Sequence, residues 1–177
     1  VVTGVQTCAL PIFVYDSIGV GAGIKVGLKD RIAGRAIEVQ GFGAADSPWP
    51  GRYEDDKQNE DVFRNLRAMG WWLLRDRFKR TYAAITKGEY FDPATMISLS
   101  SSIKDLEQLK TELVRQQRKR TSGSRLIQLI SKDEMRAKGI PSPNLADALM
   151  MCFMTRDTKR KERKDKTVQS PGGWMAC

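Results

Sequence analysis

Apolar positions along the chain follow two periods, one short and extended, one helical. Phe13-Val14-Tyr15 is a compact apolar run ending at Asp16 and reads as a strand. Gly19-Val20-Gly21-Ala22-Gly23 reads as a loop, and residues 24–32 as a short helix closed by Gly34. A second strand is expected over Ala36-Ile37-Glu38-Val39, ending in the punctuation Gly41-Phe42-Gly43. Residues 44–58, with Ser47-Pro48-Trp49-Pro50-Gly51, read as an exposed loop. Val62, Phe63, Leu66, Met69, Leu73 and Phe78 then keep helical spacing and predict one helix over residues 59–80.

Ile103, Leu106, Leu109 and Leu113 form a second amphipathic stripe, and Leu126-Ile127-Gln128-Leu129-Ile130 reads as a buried strand. Ser131 is placed to cap a helix running to Lys138, with acids in its first turn and Gly139 at its end. A last helix is expected from Ser142-Pro143 to about Met154, with the proline at its first position. Strands alternating with helices, without an internal repeat, predict an α/β or α+β layer fold.

The two ends fall outside that pattern. Residues 1–12 show neither period and look like the conceptual translation of a sequencing-library adapter, an unstructured leader to set aside. On that reading the natural protein begins upstream of Phe13. Between Arg156 and Lys166 seven basic residues face three acids with no apolar residue among them. Residues 155–177 therefore read as a solvated, disordered basic tail, with phosphate contact as the sharper alternative.

Composition narrows the chemistry. The 177 residues contain no histidine, which removes Ser-His-Asp and Cys-His nucleophiles and His-ligated zinc together. The three cysteines, Cys8, Cys152 and Cys177, make neither a CxxC pair nor an even-numbered framework, in keeping with a reducing cytoplasm. No apolar run reaches the ~18 residues of a membrane helix, and no basic n-region opens the chain. A soluble, intracellular protein with no membrane partner is the expectation. A formal charge of +9 points to a polyanionic partner.

Nucleotide motifs fail. G-x-G-x-x-G begun at Gly19 ends on Ile24, and begun at Gly21 it ends on Val26. The phosphate-loop pattern GxxxxGK[ST] is absent. Two carboxylates remain. Asp16 stands where a strand meets a glycine-rich loop, the edge at which open α/β sheets place their sites; the plainer role is a turn-capping Asp. Asp147 has Met150 and Met151 at i+3 and i+4, so it shares a helix face with apolar side chains and needs a partner or a metal. Its plainer role is an acid at a helix N-terminus. Carboxylates without histidine suit Mg²⁺ or Mn²⁺, which take oxygen ligands and serve two-metal phosphodiester hydrolysis.

Three segments together resemble the C-terminal nuclease domain of viral (tailed-phage) terminase large subunits. They are Tyr15-Asp16-Ser17-Ile18-Gly19-Val20-Gly21-Ala22-Gly23, then Phe63-Arg64-Asn65-Leu66-Arg67-Ala68 with Trp71-Trp72, and the stretch from Ser131 to Gly139 running into Ser142-Pro143-Asn144-Leu145-Ala146-Asp147-Ala148. The resemblance covers roughly residues 13–154. It implies a ribonuclease-H-like fold, a mixed central sheet flanked by helices. It also implies a metal-dependent endonuclease that cuts concatemeric viral DNA during packaging in the host cytoplasm. Double-stranded DNA would be the substrate, with the portal protein and small terminase subunit as partners of the full-length parent. Three acids hold the metals in that family; Asp16 matches the second and Asp147 the third. The first has no counterpart here, nor does the ATPase domain, so weak or absent cleavage by this chain is expected.

Lys132 follows the 126–130 strand and is a candidate phosphate contact near the metals, against the simpler role of a surface lysine. Arg118-Lys119-Arg120 reads as a basic turn that can touch a nucleic-acid backbone. Asn65 and Arg67 are expected to organise helix packing or contact the neighbouring sheet, with a DNA contact as the alternative, and one of the adjacent Trp71 and Trp72 to be core. Two alternatives stay open: a non-catalytic basic nucleic-acid-binding module, and another ribonuclease-H-like nuclease such as a resolvase.

Overall fold

The first apolar run does form a strand. β1 (Ile12–Asp16) pairs in parallel with β2 (Glu38–Phe42), from Ile12 opposite Glu38 to Asp16 opposite Phe42. The structure is a computed structural model that describes residues 12–17, 23, 27–28, 31, 37–119 and 123–155. Parallel neighbours need a crossover connection. The crossover helix expected over residues 24–32 lies largely outside the described residues, as do most of the glycine loop, residues 1–11 of the leader expected over 1–12, Arg120 and the tail beyond residue 155; Ile12, the last residue of that leader, instead opens β1 through its pairing with Glu38.

β2 starts later than its apolar content implied and runs through Gly41-Phe42 instead of stopping before them. Gly41 pairs with Tyr15 in the ladder, and the crowding there leaves little room for a side chain. A Cβ there would sit 3.3 Å from the Tyr15 hydroxyl and 3.2 Å from Ser17 Cβ.

The stretch after β2 is mostly exposed, as its sequence implies, but it is pinned to the core at its aromatic residues. Trp49 and Tyr53 pack against the core, and the Asn59 side-chain amide donates to the Trp49 carbonyl at 2.8 Å. The Tyr53 hydroxyl donates to buried Asp76 Oδ2 at 2.5 Å, and Arg75 pairs with Oδ1 at 3.0 Å. Burial, and then the Asp76 charge, push the Tyr53 phenol well above its usual range, so it remains a donor.

The single helix expected over residues 59–80 is two. α1 (Asn59–Val62) stops, and α2 (Leu66–Lys87) starts afresh. Between them Phe63 forms an isolated parallel bridge with Ile127, fixed by Ile127 N–H to the Val62 carbonyl at 2.7 Å and Arg64 N–H to the Ile127 carbonyl at 3.0 Å. Asn65 then caps α2, its side-chain oxygen accepting from the Ala68 amide at 2.9 Å. Apolar spacing runs on across the break, so periodicity alone could not reveal it. α2 ends at Gly88, whose φ of 69° is the left-handed C-terminal position that glycine adopts freely.

α3 (Leu106–Arg115) carries the second stripe, with Leu109 buried and Ile103 outside the helix. Of the expected strand over residues 126–130 only Gln128–Leu129 forms a ladder. This β4 is antiparallel to β3 (Arg118–Lys119), which therefore is a strand and not the basic turn expected. α4 (Lys132–Ala137) has the anticipated Ser131 cap, completed as a reciprocal box by Glu134, with Gly139 at a φ of 69° beyond it. α5 (Asn144–Cys152) begins one residue after Pro143, so the proline precedes the helix instead of opening it. Phe42, Phe63, Leu66, Leu74, Ile127 and Met150 are buried in one core that joins β2, α2, β4 and α5.

Candidate functional site

The cleft forms where β1 and β2 end. After β2 the chain turns so that the Ala44 and Asp46 carbonyls accept from the Arg67 and Leu66 amides, at 3.1 and 2.7 Å. Those are amides that the first turn of α2 cannot satisfy internally. The strand ends are thereby fixed to the start of α2. Asp16, Phe42, Ala44, Arg67, Lys132, Asp147, Met150 and Met151 line one open cleft. Asp16 arrives from β1, Arg67 from α2, Lys132 from the first turn of α4 and Asp147 from the first turn of α5.

Asp147 is the most elaborately held group. Its Oδ1 accepts from the Trp71 indole N–H at 2.9 Å and lies 3.6 Å from Arg67 Nε; its Oδ2 lies 3.4 Å from Lys132 Nζ. A carboxylate beside apolar Met150 and Met151 is costly without such partners. Arg67 is itself fixed at its other nitrogens, which donate to the Ile130 carbonyl at 3.2 Å and to Gln116 Oε1 at 2.8 Å. Its buried Nε has no hydrogen-bond partner and meets Asp147 only as an ion pair.

Three of the residues singled out from sequence, Asp16, Asp147 and Lys132, thus line the same cleft. Arg118 and Lys119 are not among its lining residues. Arg118 stacks over the Trp72 ring at 5.7 Å, and Lys119 pairs with Glu134 at 2.5 Å. Arg120 lies outside the described residues. Trp71 is the buried member of the tryptophan pair, while Trp72 lies half-buried between Arg75 and Arg118. Arg67 bonds both the Ile130 carbonyl beside β4 and Gln116 at the end of α3, in keeping with a packing or sheet-contacting role, and it also lines the cleft. The indole bond to Asp147 went unforeseen, because nothing local to Trp71 points to a residue so far along the chain.

A model of the terminase RNase H-like domain matches residues 8–155. The chain belongs to that family. The nuclease domain of the large terminase subunit gp2 of bacterial virus Sf6 is 40% identical, over 82% of this chain and 65% of that one, with a TM-score of 0.77. A point mutant of the same Sf6 domain, solved with manganese and beta-thujaplicinol, matches at 39% identity, 82% and 65% coverage and a TM-score of 0.76. Another match is that mutant with calcium, at the same identity, coverage and TM-score. This chain therefore spans 65% of the length of the solved domains. No curated protein matches the sequence.

The terminase nuclease fold is ribonuclease-H-like, and β1, β2 and the helices around them are its described part here. The cleft residues fit a hard divalent ion. Asp16 and Asp147 supply oxygen donors, the kind such ions take. Trp71 and Arg67 hold Asp147 by Oδ1, leaving Oδ2 toward a cation, Lys132. Among the described residues no group of three or more His, Cys, Asp or Glu side chains converges. Nor, among them, is any helix long and apolar enough to cross a membrane.

Proposed function

We propose that this chain is the metal-dependent endonuclease part of a DNA-packaging terminase, with Asp16 and Asp147 as its metal-binding carboxylates. The observation that carries the reading is that these two acids, from β1 and α5, line one cleft in a chain of the terminase family. Bound Mg²⁺ or Mn²⁺ would supply activation of water and stabilisation of the leaving oxygen in phosphodiester hydrolysis. Trp71 and Arg67 orient Asp147, and Lys132, on the rim with its side chain partly exposed, meets a backbone phosphate. Arg118 and Lys119, with Arg120 after them, extend that backbone contact beyond the cleft. Double-stranded DNA is the substrate. The portal protein and small subunit are partners of the full-length protein in the host cytoplasm. With two carboxylates rather than three lining the cleft among the described residues, this chain alone holds metal weakly and cleaves slowly.

Isothermal titration with Mn²⁺, beside nicking of supercoiled plasmid in Mn²⁺ and in EDTA, tests this. Binding heat and nicking should both disappear in Asp16→Asn. A chain that binds no Mn²⁺ but keeps salt-sensitive DNA affinity would be a non-catalytic binding module instead.

A further inference from the structure

Asp147 stands in the first turn of a helix that has no cap of its own. Pro143 occupies the N-cap position of α5 and offers no side-chain acceptor. The acceptor comes from another helix. Glu112 of α3, buried, receives the Ala146 backbone N–H on its Oε2 at 3.0 Å. Gln108, one turn earlier, donates to Glu112 Oε1 at 3.0 Å. Gln116, one turn later and at the end of α3, receives Arg67, whose Nε reaches Asp147. Positions 108, 112 and 116 form one polar stripe along α3, beside the apolar stripe of Leu109 and Leu113. Two of its members act on the surroundings of one carboxylate, one through the amide that precedes Asp147 and one through the guanidinium beside it.

A buried carboxylate is a costly way to fill a helix–helix interface that leucine would fill without penalty. The geometry points to Glu112 as a positioning residue for Asp147. By accepting from the Ala146 amide it sets the first turn of α5, and with it the direction in which the Asp147 carboxylate leaves the helix. The negative charge also complements the positive end of α5. Its effect on metal affinity rests on Asp147 being a metal ligand; its effect on the placement of Asp147 rests on the contacts alone.

Two variants separate reach from charge. Glu112→Asp keeps the charge but falls a methylene short, and Glu112→Gln keeps the reach and an acceptor oxygen. The indole N–H resonance of Trp71, assigned through Trp71→Phe, reports the bond to Asp147. Glu112→Asp should move that resonance and weaken Mn²⁺ binding about tenfold, the scale of an outer-shell loss. Glu112→Gln should keep the resonance in place and the affinity within about twofold. A lower melting temperature in Glu112→Asp with unchanged resonance and affinity would reduce Glu112 to structural support and overturn the proposal. Equal perturbation by Asp and Gln would also overturn it. If the parent chain binds no Mn²⁺ yet the resonance still moves in Asp and returns in Gln, positioning stands and the metal reading fails. Should Glu112→Asp not fold, Gln108→Leu removes only the bond to Oε1; an unmoved indole there counts against the proposal.

Discussion

The Trp71 indole N–H donates to Asp147 Oδ1 at 2.9 Å, binding the first turns of α2 to the first turn of α5. Trp71 is buried and packs in the core, with Arg67 over its ring at 6.0 Å. One aromatic side chain therefore serves two ends: its ring fills the core, and its single polar atom fixes a carboxylate at the cleft.

Replacing Trp71 with Phe keeps most of the ring and deletes the donor. Asp147 Oδ1 would be left with Arg67 Nε at 3.6 Å. A hydrogen bond to a charged group contributes ~1.5–3 kcal/mol, so urea unfolding should show a loss of that order. In a chain of this size each kcal/mol lowers the melting temperature by roughly 2–4 °C. A double-mutant cycle of Trp71→Phe with Asp147→Ala should give a coupling of ~1 kcal/mol or more; additive losses would show that the bond contributes little. Asp147→Asn should destabilise even metal-free protein, because buried Arg67 loses its counter-charge.

Glu134 gives a separate, pH-dependent expectation. The Lys119 ammonium, followed by the Ser131 amide, holds its carboxyl at about 2, below its ordinary 4.5. A depressed folded-state value means that the ionised cap contributes stability above the unfolded value and loses it as pH falls through the folded one. The contribution should be complete above about pH 4.5 and fade toward pH 2. Glu134→Gln keeps the shape of the capping box and removes the titration. The stability difference between parent and variant should be present at pH 6, shrink between pH 4.5 and 2, and diminish with added salt. A difference that stays flat across that range would show that the Lys119 pair adds nothing.

What could be read in advance follows the range of the interactions. The Ser131–Glu134 box lies within four residues, so its pattern announced the helix start where it occurs. Asp16 and Asp147 were visible because each breaks a local rule, one as an acid at a strand end, the other as an acid on an apolar helix face. Lys132 could be placed near the cleft only through the order of the elements around it. The break before Leu66 depends on Ile127, far along the chain, and the apolar spacing that continues across it conceals it. Arg67, Trp71 and Glu112 have ordinary local readings as helix residues. Their roles arise when α2, α3 and α5 are packed together, and no spacing within one helix encodes that.

Gly70 tests how closely those helices are set. It lies in the second turn of α2, inside the helix, where glycine is ordinarily unfavourable by ~1 kcal/mol relative to alanine. Propensity alone would make Gly70→Ala stabilising. The added Cβ, however, would collide with Met150 Sδ and lie 3.2 Å from both Met150 Cγ and Met154 Cγ. Both methionines are buried where they stand, so making room for the Cβ requires at least one of them to repack. Overpacking of this kind costs ~1–3 kcal/mol, which exceeds the propensity gain at most of that range. The expected result is a net loss of about 1 kcal/mol in urea unfolding. Because Met150 is on α5 and lines the cleft, relief of the clash also pushes the helix that carries Asp147. The Trp71 indole resonance should therefore shift in Gly70→Ala. A variant more stable than the parent, with that resonance unmoved, would mean that Met150 and Met154 repack freely and that the α2–α5 spacing does not govern the site.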